Sequence, residues 1–175
     1  GKRQFDYHSD YFDTPQLHCF RDHNQNKRHR LKVRFRQYAD SNLHFLELKL
    51  KGLGGQTTKV RRPISGDEFD RGNLSPNLLG FLREQAPSSI FALEQPAYEK
   101  VLRVSYQRST LVAKSGGERI TLDRGLRFQS ADRTESLPDG LWVVEVKSDT
   151  GWSSVDRAMI RMGLRASELC SKYCV

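Results

Sequence analysis

Charged and apolar residues alternate with period two along much of this chain, the mark of strands with two unlike faces. The clearest stretch is 27–38. Arg28, Arg30, Lys32, Arg34 and Arg36 fall on one parity, and Leu31, Val33 and Phe35 on the other. The next, 44–51, sets Glu47, Lys49 and Lys51 against Leu46, Leu48 and Leu50. Gly52, Gly54 and Gly55 predict a turn, and residues 57–62 then place Lys59 and Arg61 on one parity with Val60 between them. Strands are also predicted over 99–113, 118–123 and 141–148. In these, Tyr106 and Arg108 share a face, Arg119, Thr121 and Asp123 oppose Ile120 and Leu122, and Val143, Glu145 and Lys147 oppose Trp142, Val144 and Val146. Gly116 and Gly117 predict a hairpin turn. From 63 to 97 prolines and glycines interrupt the alternation. Ser75-Pro76 ahead of Leu78, Leu79, Phe81 and Leu82 predicts a capped helix, and Ser153-Ser154 predicts another over 155–162. Residues 166–175 match neither period. Strands in hairpin order with few helices predict an α+β fold: an antiparallel sheet closed or nearly closed into a barrel.

The direction of the charged faces decides what such a barrel is for. In an ordinary half-buried sheet, charges face water. Here, strand after strand repeats a basic or mixed-charge face opposite an aliphatic one. A closed barrel permits the reverse: aliphatic faces outward beneath helices and loops, charged faces inward around a wet lumen. Two like charges 4 Å apart cost about 4 kcal/mol at an effective dielectric near 20. Glu47, Asp123 and Glu145 share the basic faces but are too few to neutralise them. A multiply charged anion supplies the remainder, and guanidinium and ammonium groups suit phosphate oxygens. The few carboxylates can hold a divalent metal together with those oxygens.

The composition agrees. The chain has 175 residues, with 29 Lys and Arg against 21 Asp and Glu, a formal charge of +8. Its pI is near 9.6 and its mean hydropathy −0.68. The charge points to an anionic partner, and the length to one domain over 1–175. No apolar run is long enough to span a membrane, and no secretory signal opens the chain. Three cysteines do not make a disulfide scaffold. A reducing, cytoplasmic setting is therefore expected.

At this point the ordered motifs resemble a known family. They are Ser9-Asp10-Tyr11-Phe12-Asp13-Thr14; Arg30, Lys32, Arg34, Arg36 and Tyr38 at alternate positions; Leu46-Glu47-Leu48-Lys49 with Lys51; Lys59 and Arg61; Tyr106 and Arg108; Arg119, Thr121 and Asp123; Val144-Glu145-Val146-Lys147; and Ser171-Lys172-Tyr173-Cys174. Together they resemble the polyphosphate polymerase (VTC) domain of the triphosphate tunnel metalloenzyme superfamily. The resemblance implies an eight-stranded antiparallel tunnel with a few covering helices. In such a domain the terminal phosphoryl of ATP or another triphosphate passes to inorganic polyphosphate, with Mn²⁺ or Mg²⁺ as cofactor. The implied catalytic positions are Arg34, Arg36, Lys49 and Lys172. Lys59, Arg108 and Arg119 match phosphate-binding positions, with Arg30, Lys32, Lys51, Arg61 and Lys147 as further phosphate ligands by parity or neighbourhood. Glu145 matches the metal-holding glutamate, with Glu47 and Asp123 as additional candidates. The family pattern opens with a further strand and helix ahead of Tyr11-Phe12-Asp13-Thr14. That strand is absent from this sequence, so a tunnel wall with some of its ligands is expected to be missing.

Phosphoryl transfer needs in-line positioning and charge neutralisation rather than a protein nucleophile, and none is assigned. With water in place of the chain end, the same site hydrolyses a triphosphate. A non-catalytic polyanion-binding module is the other alternative. Nucleic-acid grooves interleave rings with cations, whereas the rings here fall mainly on the opposite parity, so nucleic acid is not expected as the main partner. His8, His18, His23, His29 and His44 show no metal-ligand spacing, and Cys170 with Cys174 lacks the other ligands of a zinc site.

Overall fold

The computed structural model describes residues 3–52, 56–86, 98–114, 117–149, 153–167 and 171–174. The strands are β1 (Phe5–Asp13), β2 (Arg30–Tyr38), β3 (Leu43–Lys51), β4 (Thr57–Ile64), β5 (Glu99–Val112), β6 (Arg119–Gln129), β7 (Thr134–Ser136) and β8 (Trp142–Lys147). They form one eight-stranded antiparallel sheet in the order β4-β3-β2-β1-β5-β6, with both β7 and β8 on the far edge of β6. β4 and β8 are not paired with each other among the described residues. The sheet is a curled half-barrel, in keeping with the α+β antiparallel sheet, closed or nearly closed, expected from the sequence. The helices are α1 (His18–Asn24), α2 (Gly66–Arg71), α3 (Pro76–Gln85) and α4 (Ser154–Arg161). The turn expected at 52–55 and the hairpin at 116–117 lie partly outside the described residues.

Alternation in β2 and β3 sets the layering. Leu31, Val33 and Phe35 pair in register with Leu50, Leu48 and Leu46, and all six are buried. With Phe12 of β1, they form one cluster with Phe69 of α2 and Leu78 and Leu82 of α3. The rings of Phe12 and Phe35 meet edge to face at 4.7 Å. Each such buried side chain contributes about 1.5–3 kcal/mol. The helices thus cover the outer, aliphatic face, and the charged parity is left to the concave side.

Helix boundaries follow from their caps. Ser65 accepts from the Glu68 amide at 3.1 Å while Glu68 accepts from the Ser65 amide at 2.9 Å, a reciprocal box opening α2. Ser75 caps α3 with Pro76 as its first residue, and Ser153 with Asp156 repeats the box on α4. α1 is anchored differently: Asp13, at the end of β1, accepts from the amides of Cys19 and Phe20 at 2.9 and 3.0 Å.

One irregularity shapes the far side of the sheet. Gly125 takes φ 60° within β6, where a residue with a side chain would be strained. Opposite it the β5–β6 register shifts between Ser105 and Gln107. β6 pairs with β8 before this bulge and with β7 after it, as expected where a bulge bends a strand.

Candidate functional site: a basic concave face

Register carries one parity across the whole sheet. Lys32 lies opposite Lys49, and Lys49 opposite Lys59; Arg34 lies opposite Glu47, and Glu47 opposite Arg61; Arg30 lies opposite Lys51. On the other half, Arg108 lies opposite Asp123, Thr121 opposite Glu145, and Arg119 opposite Lys147. The curl brings these halves within electrostatic reach. The Lys49 ammonium on β3 is held below its ordinary value by partial desolvation and then by Lys147 on β8, with Glu145 opposing. β3 and β8 are separated by β2, β1, β5 and β6 in the sheet, so this coupling crosses the concavity.

Two buried carboxylates organise the cations. Glu47, 2% exposed, accepts from Arg34 Nε at 2.8 Å and Nη2 at 2.6 Å and from Lys59 Nζ at 2.5 Å, with Arg36 Nε at 3.9 Å. Burial raises its pKa, but Arg34, Arg36 and Lys59 outweigh it and bring the carboxyl down to about 2. Asp123, fully buried, takes a bidentate Arg108 at 2.6 and 2.7 Å and Lys172 Nζ at 2.6 Å. Desolvation is again overcome there, by Arg108 and Lys172, and the pKa is lowered. Each carboxylate orients two or three cations of the candidate set.

Beneath these cations lies a floor of tyrosines. The rings of Tyr7 and Tyr106 stack at 5.4 Å. Arg36 and Arg108 sit over Tyr7 at 5.7 and 5.4 Å, Arg34 over Tyr11 at 5.8 Å, and Lys172 over Tyr106 at 5.1 Å. Arg34 also donates to the Tyr11 hydroxyl at 3.1 Å, and Arg36 to the Tyr106 hydroxyl at 3.0 Å. This corrects the expectation that rings avoid the basic parity. Tyr11 and Tyr106 are buried, however, so they back the cations rather than offer open stacking faces.

Among the described residues, no such carboxylate is paired with Lys32 at the end of the face nearest α1. Lys32 Nζ donates to Ser171 Oγ at 2.6 Å and lies 3.5 Å from His23 Nε2. Burial, with Lys49, Arg30 and Arg34 adding repulsion against Cys174, brings the Lys32 ammonium down to about 8. Desolvation and then Lys32 bring His23 to about 4, so this imidazole is neutral at pH 7. Its Nδ1 is buried without a hydrogen-bond partner. Here Lys32, Lys49, Arg30 and Arg34 repel one another.

The remaining candidates sit at the rim. Arg30 donates to the Lys27 carbonyl at 2.6 Å and to Asn26 at 3.0 Å. Arg61 lies over the Phe45 ring at 5.0 Å. Arg119 and Lys147 border a cleft of about 730 Å³ at the end of the half-barrel. Sequence reasoning missed Tyr7 and Tyr173 as parts of the site. Tyr7 has a parity signal, two residues before Ser9 and four before Tyr11; Tyr173 has none, because 171–174 is not in a regular element.

No group of three or more metal-ligating side chains exists among the described residues. The oxygens of Glu47 and Asp123 are already engaged by cations. Glu145 is different: it is half-exposed and bonded to Lys147 at 3.1 Å. It lies in register with Thr121, whose buried hydroxyl has no partner. One carboxylate beside a free hydroxyl fits Mg²⁺ or Mn²⁺ only when phosphate oxygens and water complete the shell.

Comparison with known proteins gives a consistent picture. A candidate adenylate cyclase from Bacillus halodurans has the same fold, with a TM-score of 0.60 at 12% identity over 97% of this chain and 81% of that one. A candidate adenylyl cyclase from Hippeastrum, described as having a dominant triphosphatase activity, aligns at a TM-score of 0.50 and 16% identity over 95% and 80%. No functionally curated protein matches the sequence. The VTC domain model matches residues 1–175. With the motifs in order, the curled antiparallel sheet and a match from end to end, the chain belongs to the VTC domain family.

Proposed function

We propose that the concave face binds a triphosphate and that the protein is a phosphotransferase, passing the terminal phosphoryl of ATP to inorganic polyphosphate. The observation that carries this reading is the convergence of both halves of the sheet on one segment: Lys32 of β2 donates to Ser171 at 2.6 Å, and the neighbouring Lys172 reaches Asp123 of β6 at 2.6 Å. Cations from opposite halves of the sheet converge on a shared space, and a bound polyanion relieves the repulsion that Glu145 offsets only in part. A flat basic surface would leave these groups apart and separately solvated.

In this reading Arg34 and Arg36, held by Glu47, and Arg108 and Lys172, held by Asp123, present preformed donors to phosphate oxygens. Their carboxylate partners fix the donor directions before substrate arrives, which lowers the ordering cost. Lys49, Lys59 and Lys32 neutralise charge that spreads over the equatorial oxygens of the moving group. Arg119 and Lys147 receive the anion at the rim, with Arg30, Lys51 and Arg61 adding to the attractive field. Glu145 would hold Mn²⁺ or Mg²⁺ against the phosphates, and a metal bound there supplies further neutralisation of phosphoryl oxygens. The acceptor oxygen of a polyphosphate end is already ionised, so no base is required.

A second reading, hydrolysis of the triphosphate, is favoured by the Hippeastrum neighbour described above. The deciding assay supplies ATP and follows the product. Accumulation of long polyphosphate supports the transferase; orthophosphate alone, with no chain growth when polyphosphate primer is added, supports the hydrolase. Absence of triphosphate binding removes both.

A further inference from the structure

Residues 171–174 lie against the concave face without belonging to any strand, and their contacts come from β1, β2, β5, β6 and α1. Ser171 Oγ accepts from Lys32 of β2 at 2.6 Å. Lys172 reaches Asp123 of β6 at 2.6 Å and is only 13% exposed. The Tyr173 hydroxyl donates to Asp13 Oδ2 at the end of β1. The Tyr173 ring stacks on Tyr11 at 5.0 Å and meets Phe20 of α1 edge-on at 6.1 Å. Asp13 is fully buried, and its two oxygens also take the amides of Thr14, Cys19 and Phe20.

We infer that Asp13 and Tyr173 form a clasp that positions Lys172 over the phosphate-binding face. This deepens the proposed function and rests on it for the role of Lys172. Asp123 holds the ammonium of Lys172, but a segment outside the sheet has no ladder to fix its backbone, so something else must set the height from which Lys172 reaches in. The Asp13 carboxylate does this through the phenol next to Lys172 in the chain. Stacking on Tyr11 sets the ring plane, and the hydroxyl bond to Asp13 sets its depth. Because α1 begins on the same carboxylate, the clasp also ties the position of Lys172 to the helix beside the Lys32 end. Tyr173 touches no phosphate in this arrangement; it acts through Lys172 and is a positioning residue. Asp123 is the resting partner of Lys172, and a phosphate oxygen arriving within reach competes for the same ammonium.

The test uses Tyr173→Phe, which removes one oxygen and keeps the stacked ring. The first readout is the rate at which an amine-acylating reagent labels Lys172, located by mass spectrometry, with Lys59 as internal reference. The clasp predicts labelling of Lys172 several-fold faster in the variant with Lys59 unchanged; equal Lys172 rates in the two proteins overturn it. The second is a double-mutant cycle for inorganic triphosphate binding with Lys172→Ala. Tyr173→Phe is expected to weaken binding about fivefold alone and to add nothing on top of Lys172→Ala. An equal loss in both backgrounds is the mark of a merely structural tyrosine and overturns the proposal. Should Tyr173→Phe not fold, Asp13→Asn enters the same two measurements. If the wild type binds no triphosphate, the proposed function fails, while the labelling still decides the clasp.

Discussion

Glu47 is a buried carboxylate that gathers three cations, Arg34, Arg36 and Lys59. Its folded pKa, about 2, lies below the 4.5 of the free group. The stabilisation from its ionisation is therefore complete above about pH 4.5 and is lost as pH falls toward 2. It is on the order of 3 kcal/mol. Glu47→Gln should destabilise the protein by about 3 kcal/mol at pH 7, with the gap to wild type closing between pH 4.5 and 2; chemical denaturation across that range checks it. Triphosphate should narrow the same gap at pH 7, because it supplies the missing negative charge. Lys32 gives the opposite sign. Its pKa is depressed to about 8 by burial and neighbouring cations, and a bound polyanion raises it again. Triphosphate binding should then take up protons near pH 8–9 and weaken as pH rises above 8. Calorimetry in buffers of different ionisation enthalpy measures that uptake, and it should be smaller in Lys32→Met.

At the scale of elements, β2 and β3 were legible because their two faces differ so sharply. Leu31, Val33 and Phe35 against Lys32, Arg34 and Arg36 leave one register that buries the first set. β1 was not legible, although it is central in the sheet. Both its faces are occupied: Tyr7, Ser9, Tyr11 and Asp13 belong to the concave side, while Asp10 is buried on the other with Arg103 at 2.6 and 2.7 Å. Polar residues buried on both faces erase the alternation. α1, α2 and β7 are too short to show a period, and β6 continues to Gln129 through a bulge at Gly125 that resets the parity. In the candidate site the strand cations share the parity expected of them and Lys172 was legible only through the family motif, whereas the pairing of Glu47 and Asp123 with particular cations depends on contacts between elements. α2 is held by its cap and by Phe69, which lies 5.1 Å from His44 and 6.4 Å from Phe35. Ser65→Ala should cost about 1 kcal/mol and leave triphosphate affinity unchanged, since the helix lies on the outer face. A parallel loss of affinity would mean that the outer layer sets the concave geometry.

For the whole molecule, a chain of formal charge +8 gathers Lys32, Arg34, Lys49, Lys59, Arg108 and Arg119 on the concave parity of a curled sheet. Long-range attraction of this kind is screened over about 8 Å at physiological salt. Triphosphate association should therefore slow steeply as salt rises, and stopped-flow rates across 50–500 mM, as an approximate working range, record this. Arg34→Ala and Arg119→Ala test where the anion rests: each should weaken triphosphate binding more than tenfold without unfolding the protein, and unchanged affinity in both would take these residues out of the site. The most direct measurement is a crystal of the protein soaked with inorganic triphosphate. The account predicts phosphate oxygens on the concave side, within about 3 Å of Lys49 and of Arg108 at once. Triphosphate bound to the outer face, or none under conditions that saturate the protein in solution, would contradict it.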